Sequence, residues 1–480
     1  MNILYVASEA VPLAKTGGLA DVIGALPKAL RKLGADVRVI MPKYEDIQDS
    51  LKSRMETVYI SQIKLGWRVK YVGLQKLEVD GIPFYFIDNE YYFKRRGLYG
   101  YEDEAERFVF FSRAVAELLP HLGFVPDIVH AHDWQSGLIP LLLKLGYAGE
   151  SFRQTKTVYT IHNLRYQGNF PREQLKDLLG LDDKWFAAGE GIEFHGGGSC
   201  MKAGIVYADR LTTVSETYAL EIQTPEYGER LDGVLRERCG SLIGIVNGVD
   251  YEQYDPMKDP ALAVPFRDSQ AKKKMNKAWL QRTLGLDEEA DAPLVGIVTR
   301  LVWQKGIDLI APILEEIIQE GMQLVVLGTG DSEFERLFVD VAARYPQRVA
   351  ACITFNDALA RQIYAGSDLF LMPSRFEPCG LGQLLALRYR SVPVVRETGG
   401  LKDTVLPFNE YTSEGTGFSF ASALPHDLLF TLKRAAAMYR NPSQWDVLYH
   451  NICRTNFDWT ASAKQYMHLY ENVLNQCEFF

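Results

Sequence analysis

Each half of this chain opens the same way, with a short apolar strand that runs into a loop carrying a cation and glycine, which in turn opens a helix. In the first half Ile3-Leu4-Tyr5-Val6 leads to Ala14-Lys15-Thr16-Gly17-Gly18-Leu19-Ala20-Asp21. In the second, Leu294-Val295-Gly296-Ile297-Val298 leads to Arg300-Leu301-Val302-Trp303-Gln304-Lys305-Gly306. Strand, cationic loop and helix in that order bring backbone N–H groups and positive charge to a phosphate in α/β domains. Used twice in one chain, the pattern implies two doubly wound domains addressing one anionic ligand.

Length agrees with that division. A chain of 480 residues is too long for one hydrophobic core, and two domains of roughly 200 residues each are the natural partition. Apolar runs that suit buried parallel strands recur at 2–7, 37–41, 82–87, 128–130, 157–161, 211–214 and 242–246. They recur again at 294–298, 324–327, 351–354, 369–372 and 392–395. Helical segments are expected at 19–33, 105–119, 306–320, 332–344, 357–366 and 380–389, and the alternation implies parallel sheets with right-handed crossovers. The expected domains are 1–250, an N-terminal Rossmann-like domain, and 291–455, a C-terminal one, joined by a crossover at 251–290. The segment 456–480 is expected to include a helix that packs back on the first domain.

Charge and composition exclude several classes. The formal net charge of −9 argues against nonspecific nucleic-acid binding, so an anion must be met by local cations. No apolar run is long enough to span a bilayer, and no basic segment precedes an apolar one at the N-terminus, so a cytoplasmic enzyme without membrane contact is expected. Six cysteines at 200, 239, 352, 379, 453 and 477 lack metal-like spacing, as in a reduced compartment.

The loops supply the chemistry. Lys15-Thr16-Gly17-Gly18 is neither a Walker loop nor a dinucleotide fingerprint, so NAD has little support. Arg300 and Lys305 flank the loop at the carboxyl end of a first strand, where open α/β sheets bind ligands. Two cations aimed at one diphosphate stabilise it as a leaving group without a metal. Ser374-Arg375-Phe376-Glu377-Pro378-Cys379-Gly380-Leu381-Gly382 follows a strand and opens a helix; its glycines free N–H groups, and its acid lies among turn formers. His130-Ala131-His132-Asp133-Trp134 lacks a third suggestively spaced ligand, so no metal is expected there. His130 reads as a core histidine, whereas His132, Asp133 and His162 would crowd one rim of the first domain. Asp88-Asn89-Glu90 is similar to the acidic element of single-domain, metal-dependent sugar transferases, but that architecture leaves Arg300, Lys305 and Glu377 unexplained.

Together these residues resemble the bacterial glycogen synthases and plant starch synthases, glycosyltransferase family 5 of the GT-B fold. The resemblance runs through Ser8-Glu9, 15–22, 97–100, 132–135, 162–164, 166–168, 222–225, 247–250, 300–306, 374–381 and 398–401. It implies two Rossmann-like domains facing an interdomain cleft. It implies transfer of glucose from ADP-glucose to the nonreducing end of an α-1,4-glucan, such as glycogen or a maltooligosaccharide, with retention and no essential metal or other cofactor. Arg300 and Lys305 would hold the diphosphate, assisted by backbone groups at Gly18, Leu381 and Gly382. Asp21 and Asn247 would contact the nucleotide or ribose, Phe355 would lie near the base, and Lys15 near the phosphates or acceptor. Asp133, His162 and Glu377 would surround the transferred glucose. Gly382 stands where many members have Thr, Thr354 and Asp357 where Gly and Glu are usual, Arg390 where Gly is usual, and Leu385 where a broader pattern has a second acid. The alternatives are a UDP-glucose-dependent synthase on the same scaffold, a phosphorylase-like transferase, and a catalytically weak glucan-binding paralogue.

Overall fold

A computed structural model describes residues 1–187, 189 and 191–475. The chain forms two compact units: Met1–Gly248 with the C-terminal helix Trp459–Asn475, and Val249–Asp458.

The first unit is built on β1 (Asn2–Val6), β2 (Asp36–Pro42), β3 (Glu56–Leu65), β4 (Arg68–Val79), β5 (Ile82–Asp88), β6 (Ile128–His132) and β7 (Lys156–Ile161). Three short strands follow, β8 (Asn169–Pro171), β9 (Glu193–Phe194) and β10 (Gly197–Ser199), in a small sheet of their own, and then β11 (Arg210–Thr213) and β12 (Leu242–Gly244). The main sheet has the order β12-β11-β7-β6-β1-β2-β5-β4-β3. From β12 to β5 every pairing is parallel, and the central strands are apolar because helices cover both faces. The sheet is not parallel throughout as expected, since β3 and β4 form an antiparallel hairpin against β5. The C-terminal helix is fixed to this unit by Tyr470, whose hydroxyl lies 2.6 Å from that of Tyr5 on β1 and 2.8 Å from His130 Nδ1 on β6. Cys477, counted with the sequence, lies outside the described residues.

The second unit has β13 (Leu294–Val298), β14 (Gln323–Leu327), β15 (Val349–Cys352), β16 (Leu369–Met372), β17 (Val392–Arg396) and β18 (Phe418–Phe420). All are parallel, in the order β15-β14-β13-β16-β17-β18. Alternate residues feed two faces. Val295, Ile297, Leu324 and Val326 pack with Leu428, Leu432, Leu448 and Ile452 of the helices Pro425–Tyr439 and Pro442–Cys453. Leu294, Val325 and Leu327 pack on the other face with Leu280 and Ile363.

Two expectations change here. The segment 251–290, expected as a crossover, contributes the helix Gln270–Thr283 to the second unit's core. Within it Lys273 is buried between the exposed Lys272 and Lys274, and its Nζ donates to the carbonyls of Tyr364, Ala365 and Tyr389 and to Ser391 Oγ, so this one lysine satisfies helix ends. The single helix expected over 306–320 is broken into Ile307–Ile310, a 3-10 turn Ala311–Ile313 and Leu314–Gln319. Pro312 lacks the N–H that a continuous helix requires there. Arg390, at a position where glycine is usual, adopts a left-handed φ of 62° and ties its guanidinium to Asp268 and the Leu387 carbonyl.

Candidate active site

Each parallel sheet reverses its winding at one place, and crevices at such switch points, beyond the carboxyl ends of the strands, are where open α/β sheets bind ligands. In the second unit the reversal falls between β13 and β16. The loop after β13 carries Arg300 and Lys305, and the loop after β16 carries Glu377. Lys305 Nζ lies 2.6 Å from Glu377 Oε2, and Ser374 Oγ donates to the same oxygen at 2.9 Å. Glu377 is buried, 6% exposed. Arg300 is exposed and makes no ion pair among the described residues.

Glycines hold these loops at contact distance. Gly306, at φ 71°, sits where an added Cβ would come 2.0 Å from the Pro373 carbonyl. Gly399, at φ 45°, would come equally near the Glu377 carbonyl, 2.0 Å, and Gly400 N donates to that carbonyl at 3.2 Å. Only residues without a side chain permit this approach in a left-handed conformation. Arg375 N bonds the Gln304 carbonyl, and the Arg375 guanidinium pairs with Asp308, bracing the two loops together. Leu381 and Gly382 open the next helix, with Gly382 packed over Met372 and Phe370. Phe355, 88% exposed, stands just past β15.

In the first unit the reversal falls between β1 and β6. Glu9, buried after β1, accepts hydrogen bonds from Thr16 N, Thr16 Oγ1, Gly17 N and Tyr99 OH. One carboxylate thus folds the glycine loop that opens the helix Gly18–Lys32. Gly18 is exposed at that helix start. Lys15 Nζ pairs with Asp21 Oδ1 at 2.7 Å, so two groups expected to act separately on the ligand are partners of each other.

Asp133, directly after β6, takes a left-handed φ of 55°, an uncommon and costly conformation for a residue with a side chain. Its Oδ1 accepts from His162 N at 2.7 Å and from Asn163 N at 3.4 Å, fixing the end of β7. Burial raises its carboxyl from the ordinary range to about 7, against the lowering effect of those two N–H groups. His162 is lowered to about 3 by burial and is therefore a neutral imidazole. Its Nε2 lies 3.0 Å from His132 Nδ1. Asn247, past β12, is buried, and its Oδ1 has no protein hydrogen-bond partner among the described residues.

The structure thus gathers Asp133 and His162 on one rim, with Lys15, Gly18 and Asp21 on the adjoining loop. It gathers Arg300, Lys305, Glu377, Leu381 and Gly382 on the rim of the second sheet. Asp88 faces Lys43 at 3.3 Å, and Asn89 caps a helix through Tyr92 N, so that acidic segment is engaged structurally. His130 is a core residue bonded to Tyr470 and Thr160. Glu9 was not singled out by its own chemistry in the sequence; a lone acid after a strand carries no signal until its loop partners are known.

Comparison with known proteins follows the same division. Residues 2–237 match the starch synthase catalytic domain family, and residues 292–426 match the glycosyl transferases group 1 family. The chain is 52% identical to a glycogen synthase of Desulforamulus reducens over 99% of both chains. It is 52% identical to one of Geobacillus thermodenitrificans over 100% of this chain and 99% of that one. Among solved structures it superposes on the catalytic domain of starch synthase IV from Arabidopsis thaliana bound to ADP and acarbose. That match has a TM-score of 0.91 at 34% identity, covering 99% of each chain. A sucrose-phosphate synthase from Thermosynechococcus elongatus shares the fold, with a TM-score of 0.62 at 17% identity.

Proposed function

Because the chain belongs to the glycogen and starch synthase family of GT-B glycosyltransferases, we propose that it extends α-1,4-glucan chains at the nonreducing end with ADP-glucose as donor. The observation that carries the donor assignment is the switch point of the second sheet, where Arg300, exposed and without an ion pair among the described residues, and Glu377-paired Lys305 stand on one short loop. Support for adenine as the base comes from the related starch synthase, which was solved with ADP bound.

In this account the bond between glucose C1 and the diphosphate oxygen breaks as negative charge grows on ADP, and Arg300 and Lys305 stabilise that charge. The acceptor 4-hydroxyl attacks C1 from the same face, its proton passes to the departing phosphate oxygen, and the α configuration is kept. Asp133 and His162 of the first unit and Glu377 of the second address the glucose. Lys15 and the helix start at Gly18 assist the phosphates, Asp21 and Asn247 the nucleotide, and Phe355 offers an exposed ring for the base. The cations supply the charge a metal would otherwise bring, so no cofactor enters the scheme.

Initial rates with glycogen and labelled ADP-glucose, UDP-glucose or GDP-glucose in separate reactions test the proposal. ADP-glucose should be used fastest. Faster incorporation from UDP-glucose would replace the donor, and incorporation from none would favour a glucan-binding role.

A further inference from the structure

The imidazole of His162 has one nitrogen committed inside the protein and one that is not. Nε2 lies 3.0 Å from His132 Nδ1, while Nδ1 has no protein partner among the described residues. His132 is fully buried, and its own Nε2 is enclosed with no protein hydrogen-bond partner among the described residues. It cannot find one in its neighbour. The His130 ring stacks on His132 with centroids 4.2 Å apart, but both His130 nitrogens are taken, by Tyr470 OH and Thr160 Oγ1.

These facts fix the protons. If His132 carried its proton on Nε2, a buried N–H would be left without a protein acceptor, an arrangement that is uncommon in folded proteins. With the proton on Nδ1, His132 donates to His162 Nε2, and the enclosed Nε2 is left only with an unused lone pair. Which ring nitrogen of a histidine bears hydrogen is set by the bond the other makes. His162 must then accept at Nε2 and carry its hydrogen on Nδ1. Burial, with His130 and His162 alongside, lowers the pKa of His132 well below its ordinary value, so the doubly protonated form does not compete.

We propose that His132 is a positioning residue that holds His162 as the Nδ1–H tautomer, so that His162 presents a donor rather than a lone pair to a hydroxyl of the transferred glucose. The backbone of His162 is held separately by Asp133 Oδ1, which leaves His132 to govern the ring. The tautomer follows from the geometry alone; its effect on turnover rests on the glucose-facing role proposed for His162.

Long-range 1H–15N spectra of the full-length protein labelled at histidine read the tautomer directly, with His162 assigned by its loss in His162→Gln. The unliganded wild type should show His162 protonated at Nδ1. An asparagine amide can occupy the place of Nδ1 and donate, whereas leucine fills the space without a donor. His132→Asn should therefore keep the His162 tautomer, and His132→Leu should release it toward Nε2–H. Outer partners that orient metal-ligating histidines are commonly worth about 10–100-fold; with a loss of that order here, kcat should fall in His132→Leu with KM nearly unchanged, and His132→Asn should recover most of it. A purely packing role predicts the opposite order, with leucine the better substitute, and would overturn the proposal. A wild-type His162 protonated at Nε2 would overturn the tautomer itself. A tautomer that moves in His132→Leu while kcat stays at the wild-type value would overturn the positioning role by removing His162 from contact with the sugar.

Discussion

Lys305 and Glu377 form an ion pair, Nζ to Oε2 at 2.6 Å, joining the loops on either side of the second sheet's switch point. Each therefore sets the charge the other shows to a ligand. Lys305→Ala should lower turnover by about 10²–10³ and weaken ADP binding, since it removes a preorganised donor to the leaving group. Glu377→Gln should lower turnover while ADP binding stays the same or tightens, because it frees the Lys305 charge. Calorimetry with ADP beside steady-state rates separates the two. Loss of ADP binding in Glu377→Gln would contradict the assignment.

Arg300 and Lys305 should differ in their effect on stability. Arg300 is exposed and makes no ion pair among the described residues, so Arg300→Ala should weaken ADP binding yet shift stability by no more than about 0.5 kcal/mol. Lys305→Ala leaves the buried Glu377 carboxylate without its cation, which commonly costs about 3–5 kcal/mol. Thermal unfolding of both variants without ligand should show the second alone clearly destabilised.

Much of this arrangement is legible in the sequence because it is written in short-range patterns. Apolar runs such as Leu294–Val298 and Leu369–Met372 are buried on both sides and stand out, and the cationic loops follow them directly. The β3–β4 hairpin is harder to see, because Glu56–Leu65 and Arg68–Val79 mix exposed polar and apolar residues at a sheet edge. The helix Gln270–Thr283 hides behind its lysines, of which Lys273 and Lys277 are buried against carbonyls distant in sequence. At the site, the strand-end loops that carry the candidate residues are legible and the pairings between them are not. That Lys15 meets Asp21, that Glu9 gathers the glycine loop, and that His132 reaches His162 are facts of three-dimensional distance.

The pH dependence of stability should carry the mark of Asp133. Its carboxyl is raised from 3.8 to about 7 in the folded protein, so between those values the folded state holds a proton that the unfolded chain has lost. Stability from this group therefore falls as pH rises through that window and levels off above it. The effect is at most about 4 kcal/mol. Asp133→Asn keeps an oxygen for His162 N and removes the charge, so its unfolding midpoint relative to wild type should be higher at pH 8 than at pH 4. A difference independent of pH would contradict the buried carboxyl.

Gly399 tests the geometry that holds Glu377. Alanine there combines a left-handed backbone with a Cβ 2.0 Å from the Glu377 carbonyl, and such conformations cost about 1–3 kcal/mol before any clash is counted. Gly399→Ala should lower both the unfolding midpoint and turnover. Wild-type turnover in that variant would show that the loop tolerates displacement.

Retaining transfer of glucose from ADP-glucose to a glucan end can be watched bond by bond. Real-time proton NMR of the wild-type protein with ADP-glucose and maltotetraose follows donor, product and linkage together. One new α-1,4 anomeric signal should appear for each ADP released, with no signal from a β-glucosidic linkage beyond the anomers of the acceptor's own reducing end, and the rate should be unchanged after treatment with EDTA. A β-linked first product, free glucose in place of chain extension, or activity lost to EDTA and restored by a divalent cation would contradict it.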